Sequence, residues 1–236
     1  MAPEDRSVHR YRARPDTVAT DRGDGPPLVL CHGTLMDRTM FDPQLSLTDE
    51  YRVVAYDARA RTDRYVDPYD LYDLADDCAA LLDAKGVDSC VLGGMSMGGF
   101  MTLRFAERYP ERLDGLVLID TTAGPHADHE IERYGEMIAT TRSEGEVPEQ
   151  LAGVVKHPDF TDRLSDIDVP ALVVHGEEDV ALEPERSDGL VKGLDARREI
   201  IPDAGHSSNL ENPEPVNDAV RSFLGDVYGP STSEGL

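Results

Sequence analysis

Apolar residues in this chain gather in short runs separated by stretches with helical spacing. The runs are PPLVLCHG (26–33), YRVVAYD (51–57), SCVLGG (89–94), DGLVLID (114–120) and PALVVHG (170–176), with a more polar last one, ARREIIPD (196–203). Most are continuous rather than alternating, as expected of strands buried on both faces. Between them, LYDLADDCAALLDAKG (71–86) sets Leu71, Leu74, Cys78, Leu81 and Leu82 on one helical face and stops at Gly86. GGFMTLRFAERYP (98–110) is predicted as a helix closed by Pro110, and another helix is expected near 184–193. PVNDAVRSFLGDVY (215–228) carries Val216, Ala219, Val220, Phe223 and Leu224 along one stripe. The alternating segment VHRYRAR (8–14) is expected to be an edge strand, and residues 1–7 and 229–236 to be frayed ends. Alternating strands and helices predict an α/β fold: a mostly parallel sheet with helices on both faces. Its 236 residues suit a single domain, 1–236. One stretch, 122–168, breaks the alternation. Rich in Gly, Pro, His and Glu, it reads as a small inserted unit of two or three helices.

Charge narrows the partners. The formal net charge is −24, from 47 acidic against 23 basic residues, and only three of the basic residues are lysines. A field of that sign excludes nucleic acid and anionic membrane surfaces as partners. The acids are dispersed along the whole chain, so they form no acidic tail. A dispersed acidic surface poor in lysine resembles proteins of salt-loving cells; an ordinary acidic bacterial protein is the other reading. The opening MAPEDRSVHR has no apolar core, so no secretory leader is expected, and no apolar run reaches the length of a membrane span. Cys31, Cys78 and Cys90 form no paired spacing, which fits a reducing cytoplasm. The expected assembly is a monomer or homodimer.

The sharpest chemical signal is GGMSMGG (93–99), at a strand-to-helix junction. Gly94 and Gly98 flank Ser96 at G-x-S-x-G spacing, which lets a serine sit in a tight turn with its hydroxyl above the sheet. The following helix aims its N-terminus at the same place and favours a developing anion. No lysine follows, as a phosphate loop of the Walker type requires. A serine hydroxyl is a weak nucleophile and needs a base and an orienting carboxylate, both expected on loops at the carboxyl ends of later strands. The loop after 170–176 offers Asp179, and the loop after 196–203 offers His206. Asp120, at the end of 114–120, competes for the acid role; it is otherwise explained as a strand-end residue bonding nearby backbone. The backbone amides of Thr34 and Met97 are the expected oxyanion donors. Cys31 beside His32 is not a nucleophile–base pair, because neighbours on a strand point to opposite faces. His175 ends a strand and is read as packed. HADHE (126–130) offers His126, Asp128 and His129 as metal ligands, but the loose spacing reads better as a helix start, and no metal is expected.

Four segments, LVLCHGTLMDRTMFDPQ, GGMSMGGFMTLRFAERYPERLDGLVLIDTT, PALVVHGEEDV and IPDAGHSSNLENPEPVNDAV, together resemble the α/β-hydrolase superfamily over nearly the whole chain. The last of them is most similar to 3-oxoadipate enol-lactonases and related small esterases. The resemblance implies a Ser96–His206–Asp179 triad, no cofactor, a lid inserted after the sixth strand, and a small-molecule ester or lactone as substrate. Carboxylesterase is the safest label; C–C bond hydrolase and cofactor-free haloperoxidase share the same residues. A ligand receptor that keeps the hydrolase fold is the alternative from another class. Two features depart from the family. The loop DARARTDRYVD (57–67) has no glycine, so it must run differently and bring Arg59, Arg61 or Arg64 toward the pocket. The lid is also short.

Overall fold

Seven strands form one sheet in the order β1-β3-β2-β4-β5-β6-β7 in the computed structural model, which describes residues 17–59, 69–133, 136 and 159–229. The strands are β1 (Ala19–Arg22), β2 (Pro27–Cys31), β3 (Arg52–Tyr56), β4 (Cys90–Met95), β5 (Leu113–Ile119), β6 (Ala171–Gly176) and β7 (Arg197–Ile201). All neighbours pair parallel except β1, which runs antiparallel to β3. Every parallel strand therefore delivers its carboxyl end to the same edge. The order reverses around β2, so the connections leaving β2 and β4 run to opposite sides, the kind of switch point at which open α/β sheets bind ligands.

The apolar runs explain the layering. In β4 and β5, Leu92, Leu116 and Leu118 face one way while Val91, Val117 and Ile119 face the other, and all six are fully or almost fully buried. The first face is covered by α1 (Leu71–Lys85), α2 (Met97–Arg108) and α3 (Asp188–Leu194). On the second lie α5 (Pro213–Tyr228) and a run of 3-10 turns at Arg38–Asp49. α1 begins on a reciprocal capping box between Asp70 and Asp73 and ends on Gly86 in the left-handed conformation (φ 64°), where glycine carries no steric cost.

Within the described residues the expected strands and helices of the sheet and its two faces are present, with boundaries moved by a few residues. The helix near 184–193 is a 3-10 turn at Pro184–Ser187 that continues into α3. Pro110 ends α2 as expected and opens a 3-10 turn. The expected edge strand at 8–14 lies outside the described residues. The strand that pairs with β3 at the sheet edge is β1, in a polar segment. Much of the insertion expected at 122–168 also lies outside the described residues. It follows β5, the fifth described strand, and its described parts hold a helical segment at 128–133 and 3-10 turns at Thr161–Asp166. Among the described residues no helix is long and apolar enough to cross a membrane.

Candidate active site

Ser96 sits between β4 and α2 with φ 50° and ψ −112°, a backbone conformation that costs an L-residue energy and must be held by its surroundings. Its amide donates to Ile119 O (2.9 Å), and its carbonyl accepts the Thr121 hydroxyl (2.9 Å). The neighbouring glycines permit the turn. A Cβ on Gly94 would lie 2.2 Å from backbone atoms of Gly98, and one on Gly98 would lie 2.1 Å from Cys31 O. Helix α2 can therefore start against the end of β2 only because both positions lack side chains.

The loop after β6 carries Asp179, which is almost fully buried. Its Oδ1 accepts the amides of Ala181 and Leu182, both at 2.9 Å. Its Oδ2 lies 2.7 Å from His206 Nδ1, and His206 Nε2 lies 3.2 Å from Ser96 Oγ. The structure thus brings Ser96, His206 and Asp179, from three different strand ends, into one continuous chain of hydrogen bonds. Burial alone pushes the Asp179 carboxyl up, but hydrogen bonds from His175 and His206 outweigh it and hold the group well below the usual carboxylate range. The charged carboxylate can fix the His206 tautomer and favour an imidazolium. The His206 side chain keeps 23% of its surface exposed, while Ser96 and Asp179 on either side of it are buried.

The loop bearing His206 is anchored on both sides. Asp120, the competing acid, is fully buried at the end of β5 (φ 46°). It does not bond nearby backbone, as the sequence suggested. Its Oδ1 accepts the amide of Gly176 (2.8 Å) and its Oδ2 accepts the amide and hydroxyl of Ser208 (2.9 and 2.8 Å). Burial pushes its carboxyl above the ordinary value against the pull of His175 and these donors. On the far side, the Asn209 amide donates to Met40 O (2.9 Å) and Gln44 Oε1 (3.2 Å). This ties α4 (Ser208–Glu211) to the 38–49 run.

Thr34 begins the turn after β2, and Met97 is the first residue of α2. Intrahelical partners are missing for the first amides of any α-helix, so Met97 N is an available type of donor. A Cβ on Gly33 would lie 3.6 Å from Ser96 Cβ, so the β2 loop runs beside the serine. Cys31 is fully buried, and burial pushes its thiol up to about 12, which removes it as a nucleophile. Next to it, His32 is held by its own backbone contacts: Nδ1 donates to Gly33 O (2.8 Å) and Nε2 accepts from Ala58 N (2.9 Å).

The other candidates are dispersed. His126, Asp128 and His129 do not converge as a ligand set. His126 Nδ1 meets Glu130 Oε2 at 3.3 Å, and His129 turns to Glu183 at 3.8 Å. Arg59 is buried in a bidentate pair with Asp77 of α1 (2.6 and 2.7 Å) rather than directed at substrate. Arg61 and Arg64 lie outside the described residues. Three groups near the relay carry no recognisable motif. His175 contacts Asp179, and Glu130 with Arg186 brackets His126. The His126 ring packs edge-on against Phe100 of α2, 5.3 Å between centroids, and burial pushes its pKa down.

Comparison with known proteins agrees with this fold. Residues 26–148 match the family model of the alpha/beta hydrolase fold. The thermophilic esterase of Thermogutta terrifontis superposes with a TM-score of 0.78 at 31% identity, covering 89% of this chain and 93% of that one. Carboxylesterase YbfK of Bacillus subtilis is 27% identical over 88% of this chain and 83% of its own length. 3-oxoadipate enol-lactonase 2 of Acinetobacter baylyi is 23% identical, over 86% of this chain and 90% of its own. The chain belongs to the α/β-hydrolase fold family.

Proposed function

We propose that this protein is a serine hydrolase of carboxylic esters, a carboxylesterase with lactones as the neighbouring substrate class. Ser96 is the nucleophile. His206 takes its proton as Oγ attacks the carbonyl, and returns it to the leaving alcohol. Asp179 orients His206 and balances the imidazolium. The amides of Thr34 and Met97 receive the oxyanion, and water then releases the acid from the acyl-enzyme with His206 again as base. A lactone would open by the same steps, with the leaving alcohol still tethered to the acyl chain.

The observation that carries this reading is the unbroken chain Ser96 Oγ–His206 Nε2 (3.2 Å) and His206 Nδ1–Asp179 Oδ2 (2.7 Å), built on a serine with positive φ. A receptor that only binds ligand has no need of this strained serine or of a desolvated carboxylate behind the imidazole. The thermophilic esterase and YbfK support ester bonds as the class. The short insertion after β5 leads us to short acyl chains, with little selectivity between neighbouring lengths, since one methylene is worth only ~1–3 kcal/mol. The test is hydrolysis of p-nitrophenyl esters of increasing acyl length beside small lactones, with Ser96→Ala as control. Turnover of short-chain esters that vanishes in the control is expected. A strict preference for long chains would overturn the substrate reading, and turnover retained by the control would overturn the mechanism.

A further inference from the structure

His175 is the penultimate residue of β6, and its side chain is fully buried beside Asp179. Its Nε2 lies 2.8 Å from Leu182 O and 3.2 Å from Asp179 Oδ2. Both are acceptors, so the ring carries its proton on Nε2, where it donates to Leu182 O and faces Asp179 Oδ2. Nδ1 is buried without a hydrogen-bond partner. A bare ring nitrogen costs less there than an N–H with nowhere to donate, which favours the same tautomer. Asp179 Oδ2 thus lies between two imidazoles, paired with His206 Nδ1 and close to His175 Nε2, while Oδ1 accepts from two backbone amides.

We propose that His175 is a positioning residue of the relay: it holds Asp179 Oδ2 in the orientation that meets His206 and fastens the 177–182 loop to the end of β6. This rests on the triad reading above. Without the His175 N–H edge beside it, a buried carboxylate oxygen loses its polar neighbour at 3.2 Å and the carboxylate is free to turn about its Oδ1 anchors. The charge on Oδ2 would also be less compensated and would hold the His206 imidazolium more firmly. The groups facing His175 are Asp179 from its own loop and Asp120 from the end of β5, with ligand-type atoms of all three within 4.8 Å of one another. Gly176, Ser208, Ala181, Leu182 and His206 already donate to the two carboxylates, so the cluster is a chain of hydrogen bonds rather than an ion site. Both carboxylates draw His175 toward its protonated form against the effect of burial.

The experiment compares His175→Phe, which has no donor, with His175→Gln, whose amide nitrogen reaches about where Nε2 lies. Steady-state kinetics on a p-nitrophenyl ester are followed across pH, with Ser96→Ala in parallel. For His175→Phe, kcat is expected to fall about tenfold with KM within about twofold. The acid limb of kcat/KM is expected to move upward by about half to one pH unit. His175→Gln is expected to restore both. A folded His175→Phe with wild-type kcat and an unmoved acid limb would overturn the inference, and so would a His175→Gln no better than His175→Phe. If Ser96→Ala stays active, it is the triad reading that fails. Should His175→Phe not fold, 15N-edited NMR of the wild-type imidazoles decides: the His175 proton is expected on Nε2, and a proton on Nδ1 alone would rule out donation to Asp179.

Discussion

Asp120 and Ser208 stand 88 positions apart in sequence, yet the Asp120 carboxylate accepts both the amide and the hydroxyl of Ser208, at 2.9 and 2.8 Å. Ser208 follows His206 by two residues. The end of β5 therefore sets the height of the His206 loop above the sheet, while Asp179 sets the ring's orientation. The two carboxylates have separate tasks: one anchors backbone and the other faces the imidazole.

Asp120→Ala is expected to destabilise the fold and impair catalysis together. It leaves the Gly176 amide and both Ser208 donors buried without an acceptor, at about 1–3 kcal/mol for each group that water cannot reach. Asp120→Asn is expected to be intermediate, because its amide group must face one of these donors. Denaturant unfolding and kcat measured on the same samples test this. An unchanged midpoint in Asp120→Ala would contradict the anchoring role.

Asp179→Asn is expected to cut kcat by at least ~10²-fold while the protein stays folded, since an amide N–H facing His206 Nδ1 leaves the ring proton on Nε2, where it cannot take the proton of Ser96. Its pH signature is also distinct. The folded protein holds the Asp179 carboxyl below its ordinary value of 3.8, so the stabilisation is complete above that value and fades as pH falls below it. The stability gap between wild type and Asp179→Asn should therefore be widest near neutral pH and narrow in acid. Denaturant melts at neutral and acid pH measure it, and a gap that widens in acid would have the wrong sign.

Several parts of this site were open to sequence reading because they depend on local pattern. Ser96 stands between glycines after a buried strand, and Asp179 and His206 follow the last two strand signals. Other parts depend on tertiary approach. β1, with the sequence ATDR, has no apolar run, since it lies at the sheet edge and pairs only with β3. The 38–49 run buries Met40, Phe41, Gln44 and Leu47 around Pro43, a residue that argues against a helix when read in isolation. The partners of Asp120 come from the last residue of β6 and the first of α4, and nothing near Asp120 in sequence points to them. His175 reads as a packed strand residue until the loop after β6 folds back and places Asp179 against its ring.

Salt is expected to support folding. A net charge of −24 with three lysines makes the compact state repel itself in dilute buffer. Raising salt from 0.1 M to 1 M shortens the screening length from ~10 Å to ~3 Å. Thermal melts across KCl concentration should show a rising Tm over that range. A flat or falling Tm would mean that the scattered Arg–Asp and Arg–Glu pairs already balance the surface.

The central claim is that Ser96 is the nucleophile of this relay. Intact-mass and peptide mass spectrometry after treatment with a fluorophosphonate tests it most directly, because that reagent loses fluoride to an activated serine and leaves a stable adduct. One equivalent of label on the peptide containing Ser96 is expected, formed in step with loss of esterase activity and absent from Ser96→Ala. Label on another residue, or no label while the enzyme turns over ester, would contradict the claim.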